Sequence, residues 1–240
     1  MFYKFSKIRN FESLTERELK EFTSLVDKYC ITEKIDGSNI SVTFNFDEYN
    51  SKKNIEIYTR NGNSFSEEIV DIISLDLSKL YRYLKDKYSD ANKAAVMFGE
   101  LYGKKVMNRL DYGIGCDVAV FYFMLINEHN ESIKLPIETT DEIVQRSGCS
   151  FKAVPIYKIV HTNSIYQNTS EFMAIKDACI LPYQSIIAAN NKSAKPCNIE
   201  GYVIYSLNAL NQIVGMAKVK DEAFKDTVKT VKKEQVSELK

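Results

Sequence analysis

Residues Thr32-Glu33-Lys34-Ile35-Asp36-Gly37-Ser38-Asn39 run directly into Ile40-Ser41-Val42-Thr43-Phe44-Asn45-Phe46. The second stretch alternates apolar and polar side chains, the period of a strand with one buried face. The first is a polar Asp-Gly turn with a lysine two positions ahead of the aspartate. Lysines beside turns are often solvated decoration. The other use of such a lysine is as a nucleophile, and an amine attacks only after losing its proton, which demands desolvation or nearby cations. Those cations have to come from far along the chain.

Upstream, Ser13 and Glu16 fit a capping box, and Leu19, Phe22 and Val26 follow at helical spacing, predicting a helix over about 14–28. Downstream, Ile55 and Ile57 alternate with Glu56 and Tyr58, so the polar residues 47–53 join two strands as a hairpin. A helical stripe of Ile69, Ile72, Ile73, Leu77, Leu80, Tyr81 and Leu84 predicts a helix from Ser66 to about Tyr88. Further strands are expected at 94–102, 117–126, 153–160, 199–205 and 213–220, with short helices near 140–147 and 170–178. A closing helix over about 221–238 would place Phe224, Val228 and Val231 on one side. Neighbouring strands with inserted helices argue for an α+β fold with largely antiparallel sheets. No linker or repeat divides the chain, so residues 1–225 are expected as one domain and 226–240 as a basic C-terminal helix.

Composition narrows the chemistry. The 32 basic and 32 acidic side chains balance, so any basic footprint for nucleic acid must be local. The segment 218–240, with Lys218, Lys220, Lys225, Lys229, Lys232, Lys233 and Lys240, is the candidate, although such a run is also what a solvated helix face looks like. The five cysteines are odd in number and lack the close spacing of a zinc site or redox dithiol, which points to reduced thiols. Only His129 and His161 are present, so histidine-based metal or triad chemistry is poorly supported. No run approaches the roughly 18 apolar residues of a membrane span, and Met1–Lys7 is no secretory signal. The expectation is a cytoplasmic protein with no membrane partner. Gly99-x-x-x-Gly103-Lys104-Lys105 has one residue too few for a phosphate loop and no Ser or Thr after its lysine.

Lys34-Ile35-Asp36-Gly37 resembles motif I, Lys-x-Asp-Gly, of the covalent nucleotidyltransferases: DNA ligases, RNA ligases and mRNA capping enzymes. Further motifs follow in the family order. Thr59-Arg60-Asn61-Gly62 resembles motif Ia, Phe98-Gly99-Glu100-Leu101 motif III and Val118–Phe123 motif IIIa. Glu200-Gly201-Tyr202-Val203 resembles motif IV and Ala217-Lys218-Val219-Lys220 motif V. Within the superfamily the chain is most similar to the RNA ligase 2 family of nick-sealing ligases. That likeness is carried by the opening Met1–Ile8, by Phe98–Gly103 with Asp111-Tyr112-Gly113, and by Ala217–Lys220 with Phe224 and Lys225.

The resemblance implies an adenylyltransferase (ATP-grasp-like ligase) domain using ATP as AMP donor with Mg2+ or Mn2+. By the same likeness Lys34 is the nucleophile, and Lys218 and Lys220 contact the α-phosphate. Arg60 lies near the phosphates and the incoming 5′-phosphate, Glu100 binds the ribose and Phe121 stacks on adenine. Asn39 is near phosphate or ribose, Glu200 supports metal-assisted steps, and Glu33 and Ile35 present backbone groups to the adenine edge. Direct metal ligands are not implied, since the family's cation is held largely through water and phosphate oxygens. Without the motifs Phe121 would be read as core. Glu100 and Glu200 resist that reading, because a carboxylate interrupting an apolar strand is costly to bury unless partnered.

The implied partner is RNA, as a nicked duplex, RNA ends or an RNA/DNA hybrid. Asp36 stands where the phage ligase has histidine, and Thr59–Gly62 is also similar to DNA ligases, so the catalytic core of an ATP-dependent DNA ligase is the alternative. A capping guanylyltransferase ranks below it. The residues 221–240 after motif V are too few for an OB-fold or helical C-terminal domain, which predicts that the chain is a truncated piece, that a protein partner supplies that role, or that the basic C-terminal helix does.

Overall fold

Lys34–Gly37 is where the chain passes from one β-sheet to another. The computed structural model describes residues 2–46, 54–107, 109–162, 184–191, 194 and 197–220. The first sheet contains β1 (Arg9–Asn10), β2 (Lys28–Glu33), β9 (Ile156–His161), β10 (Gly201–Leu207) and β11 (Ile213–Lys220), in the order β1-β11-β10-β2-β9. The second contains β3 (Ser38–Asn45), β4 (Ile55–Thr59), β5 (Ala94–Tyr102), β6 (Asp117–Ile126) and β7 (Ser132–Lys134), in the order β4-β3-β5-β6-β7, with β8 (Lys152–Ala153) beside β6. The β1·β11 and β6·β8 pairs are parallel and the other pairs antiparallel, an α+β arrangement as expected. The helices are α1 (Glu16–Thr23), α2 (Glu67–Tyr88), α3 (Thr139–Ser147) and the short α4 (Ile186–Ala189).

Side-chain alternation stacks these elements in layers. Ala95 and Met97 of β5, with Ile40, Val42 and Phe44 of β3, pack against Ile73, Leu77, Leu80 and Leu84 of α2. The intervening Ala94, Val96 and Phe98 point the other way and meet Cys30, Val203, Tyr205 and Leu207 of the first sheet. The outer face of that sheet is covered by Phe11 and by Phe22 of α1, packed on Tyr29, Ile31, Tyr202 and Ile204. The second sheet is therefore buried on both faces, and the expectation of one buried face on β3 needs correction. Ser41 and Thr43, the supposed outer residues, are as buried as their apolar neighbours.

Other departures have local causes. The capping box is Thr15 with Glu18, not Ser13 with Glu16: Thr15 Oγ1 accepts from Glu18 N–H, while Ser13 Oγ donates to the Asn10 carbonyl in a 3-10 turn over Phe11–Ser13. The helix stops at Thr23 because Leu25 takes a left-handed φ of 57°, and β2 begins where the helix was expected to end. The single strand expected over 153–160 is two. Pro155, which has no N–H to give a ladder, divides β8 on the second sheet from β9 on the first, and its carbonyl accepts from Glu33 N–H at 3.0 Å. The helices expected near 170–178 and 221–238, and the 47–53 hairpin loop, lie outside the described residues, although β3 and β4 pair as that hairpin requires.

Candidate active site

The crossing between the sheets at 34–37 borders a cavity of about 290 Å³ lined by Lys34, Ile35 and Gly37. Lys34 N–H donates to the Gly201 carbonyl at 2.9 Å, which fixes the turn to the start of β10. Gly37 is obligatory there: a Cβ would stand 2.2 Å from the Leu101 carbonyl oxygen and 2.9 Å from Glu100 Cγ. Gly201 has φ +153°, and a Cβ on it would stand 2.0 Å from the Val219 carbonyl oxygen. The two glycines let the Lys34–Gly37 turn and the ends of β5, β10 and β11 close on one another.

The cavity has two ends of different character. Phe5, Ile8, Phe121, Val203 and Tyr205 line an apolar end. Lys34, Asn39, Arg60, Glu100 and Lys218 supply polar and charged groups. Lys34 Nζ stands 2.5 Å from Glu200 Oε2, and Lys220 Nζ stands 3.4 Å from Glu200 Oε1, so one buried carboxylate joins a lysine from each extremity of the described chain. Lys218 and Lys220 alternate on β11 and both serve this region, one on the cavity wall and one on Glu200.

Two buried polar atoms on the cavity-lining residues find no hydrogen-bond partner among the described residues: Asn39 Oδ1 and Arg60 Nη2. Buried polar groups are almost always paired, so these mark a place where a polar ligand completes the structure. Asn39 is itself held by its Nδ2, which donates to the Gly99 carbonyl at 3.1 Å. Burial pushes the Glu100 carboxyl up to about 8; Lys34 and Arg60 pull against that shift, and the negative charges of Glu200 and Asp36 add to it.

Glu33 behaves differently although it precedes Lys34. Ser185 Oγ donates to its Oε1 at 2.5 Å, and Ile186 N–H and the Tyr157 hydroxyl donate to Oε2 at 3.0 and 3.3 Å. Burial raises its pKa and those donors oppose the rise. Its side chain is thus committed to anchoring α4, and only its backbone is left for a ligand. Ile35 is likewise buried against Tyr102, Leu110 and Tyr112.

Every residue named from the sequence lines the cavity or, for Glu200 and Lys220, ion-pairs beside it. Sequence reasoning missed the Phe5 ring, 5.4 Å from that of Phe121, together with Ile8, Val203 and Tyr205. It also missed Arg109, whose guanidinium grips Asp36 through Nε and Nη2. The aromatic run Phe2-Tyr3-Lys4-Phe5 was a visible signal; nothing local announces Arg109. A larger cavity of about 620 Å³, lined by Tyr102, Asp117, Lys152 and Ile187 among others, lies outside this constellation and contains none of the expected residues. Among the described residues no helix is long and apolar enough to cross a membrane.

Comparison with known proteins agrees with the architecture. None of the curated proteins matches the chain. Naegleria gruberi RNA ligase, solved as a lysine-to-methionine variant with AMP and Mn, superposes with a TM-score of 0.59 at 15% identity, over 92% of this chain and 56% of that one. The same ligase with PPi gives 0.58 at 16% identity, over 93% and 57%. A lysine-to-alanine variant with ATP and Mn gives 0.59 at 15%, over 93% and 56%. This chain thus spans little more than half the length of those ligases, and at such identity the likeness is one of fold. The RNA ligase family model matches residues 27–223, which takes in Lys34, all of the cavity lining but Phe5 and Ile8, and β11. By that match the chain belongs to the RNA ligase family.

Proposed function

We propose that the chain is an ATP-dependent RNA ligase that carries AMP on Lys34. The observation that bears most weight is the shared carboxylate: Glu200 holds Lys34 and Lys220 at the edge of a cavity whose apolar end suits a purine and whose other end presents Arg60, Lys218 and unpartnered polar atoms. Lys34 Nζ attacks the α-phosphorus of ATP; the bond to the β-phosphate oxygen breaks and pyrophosphate leaves. Nζ must shed its proton first, and Glu200, in contact with it, is placed to receive one. Lys218 and Arg60 sit where negative charge grows on the phosphates. The 5′-phosphate of an RNA end then attacks the lysyl-AMP, breaking the N–P bond. A 3′-OH finally attacks that activated phosphate, forming the phosphodiester and releasing AMP.

A divalent cation, Mg2+ or Mn2+, fits this arrangement. Burial drives the Glu100 carboxyl upward, and the neighbouring charges of Glu200 and Asp36 add to that rise, a surrounding that a cation relieves. Among the described residues no group of three or more His, Cys, Asp or Glu could hold a metal unaided, so nucleotide phosphates and water would complete its shell, with Glu100 and Glu200 facing it. When bound it supplies charge neutralisation at the α-phosphate.

The test is incubation with α-labelled ATP, GTP or NAD in Mg2+ or Mn2+. Label is expected from ATP alone and is lost in Lys34→Ala. Labelling by GTP and not ATP would replace ligation with capping. The second reading, a DNA ligase core, is favoured by Thr59-Arg60-Asn61-Gly62. Nicked duplexes whose 3′-OH strand ends in RNA or DNA separate the two, and equal sealing of all-DNA nicks would favour DNA.

A further inference from the structure

Asp36 is two residues beyond the nucleophile and only 1% exposed. A carboxylate buried there without a cation would be costly, and its charge would act on every ionisable group in the cavity. The partner comes from 73 residues away: Arg109 Nε donates to Asp36 Oδ2 at 3.1 Å and Nη2 donates to Oδ1, a two-point contact that fixes both planes. The same loop takes a second hold on the same residue. Asp36 N–H donates to the Tyr112 hydroxyl at 2.9 Å, and Tyr112 is itself buried against Tyr102 in an edge contact with ring centroids 5.1 Å apart.

The loop bearing these groups is braced. Lys104 N–H donates to the Ile114 carbonyl and Lys105 N–H to the Gly115 carbonyl, closing its base, and Gly113 N–H donates to Asp111 Oδ1 within it. Asn191 Nδ2 donates to the Tyr112 carbonyl, tying the loop to the end of α4. The Lys34–Gly37 turn is thus held on one side by Gly201 and on the other by Arg109 and Tyr112.

We infer that Arg109 is a positioning residue for nucleotidyl transfer: from the 103–116 loop it clamps Asp36 and thereby sets the Lys34–Gly37 turn against the cavity. This rests on the reading of Lys34 as the AMP carrier. Arg109 does not line the cavity, so it acts through the turn and not through the nucleotide. Its removal then affects the rate of transfer and not the affinity for ATP.

The experiment measures the single-turnover rate of lysyl-AMP formation against ATP concentration for the whole chain and four variants. Arg109→Gln is expected to slow the saturated rate by about 10- to 100-fold, with half-saturating ATP moving by less than about threefold. Arg109→Lys, which keeps the charge but not the two-point grip, recovers part of the rate. Asp36→Asn slows the reaction on its own, and Asp36→Asn/Arg109→Gln, which removes both charges and so leaves none buried alone, is no slower than the slower single variant. The inference is overturned if Arg109→Gln reacts within about twofold of the unaltered chain, if the two single effects multiply in the double variant, or if the loss lies wholly in ATP half-saturation. An unaltered chain that takes no label would instead overturn the AMP-carrier reading, and this inference with it.

Discussion

The two walls of the cavity solve opposite problems. The wall from the first sheet is balanced within itself: Glu200 lies between Lys34 and Lys220, and its charges answer one another. The wall from the second sheet is left wanting. Asn39 Oδ1 and Arg60 Nη2 are buried without a partner, and Glu100 is so poorly solvated that its carboxyl rises to about 8. One wall is finished by folding and the other by a ligand. The difference says where each side chain's contribution should register: in the stability and reactivity of the free protein for the first wall, in the response to nucleotide for the second.

The strongest attempt to break that contrast is Glu200→Ala, which strands two lysines around an empty site. It is expected to slow lysyl-AMP formation by about 100- to 1,000-fold and to lower thermal stability, read by single-turnover labelling and by melting. Glu100→Gln comes next and acts in the reverse direction on stability. Because the folded carboxyl is raised above its ordinary value, its stabilising contribution is complete below about 4.5 and fades as pH climbs through about 8. The variant should therefore flatten that decline and outlast the unaltered chain at pH 9 by on the order of 2–4 kcal/mol, measured by denaturant unfolding at pH 5, 7 and 9. Arg60→Ala should leave the ligand-free melting temperature nearly unchanged and weaken the response to ATP by about 1–2 kcal/mol. Melting curves with and without ATP distinguish this from a folding defect. Asn39→Ala is expected to trim that response by under about 1 kcal/mol, with no loss of stability in the free protein. A large ligand-free loss in either of these two would erase the distinction between the walls.

Much of this arrangement was legible before any coordinates, and what was not has identifiable physics behind it. β5, β6 and β11 have the bounds expected for them, because their apolar residues stand between polar or turn residues. β2 was invisible because all but its first residue are buried, which removes the alternation that betrays a strand, and because the turn before it bends at Leu25 and not at a glycine. The motif residues could be named because their chemistry is local and ordered along the chain. Phe5, Tyr205 and Arg109 enter the site through tertiary packing alone, and no spacing rule links position 109 to position 36. Glu33 shows the reverse limit: adjacent to Lys34 in sequence, its carboxylate is sealed away under Ser185, Ile186 and Tyr157.

The pairing of β2 with β10, Glu33 opposite Tyr202 and Lys28 opposite Leu207, has a consequence for synthesis. Contacts between positions so far apart form late, after the intervening hairpins have settled. During translation the strands β3 to β6 can zip together on emergence, whereas β2 must wait for β9 and then β10, both encoded after that sheet. A growing polypeptide therefore cannot assemble the Lys34–Glu200–Lys220 cluster until the last described strand is nearly made.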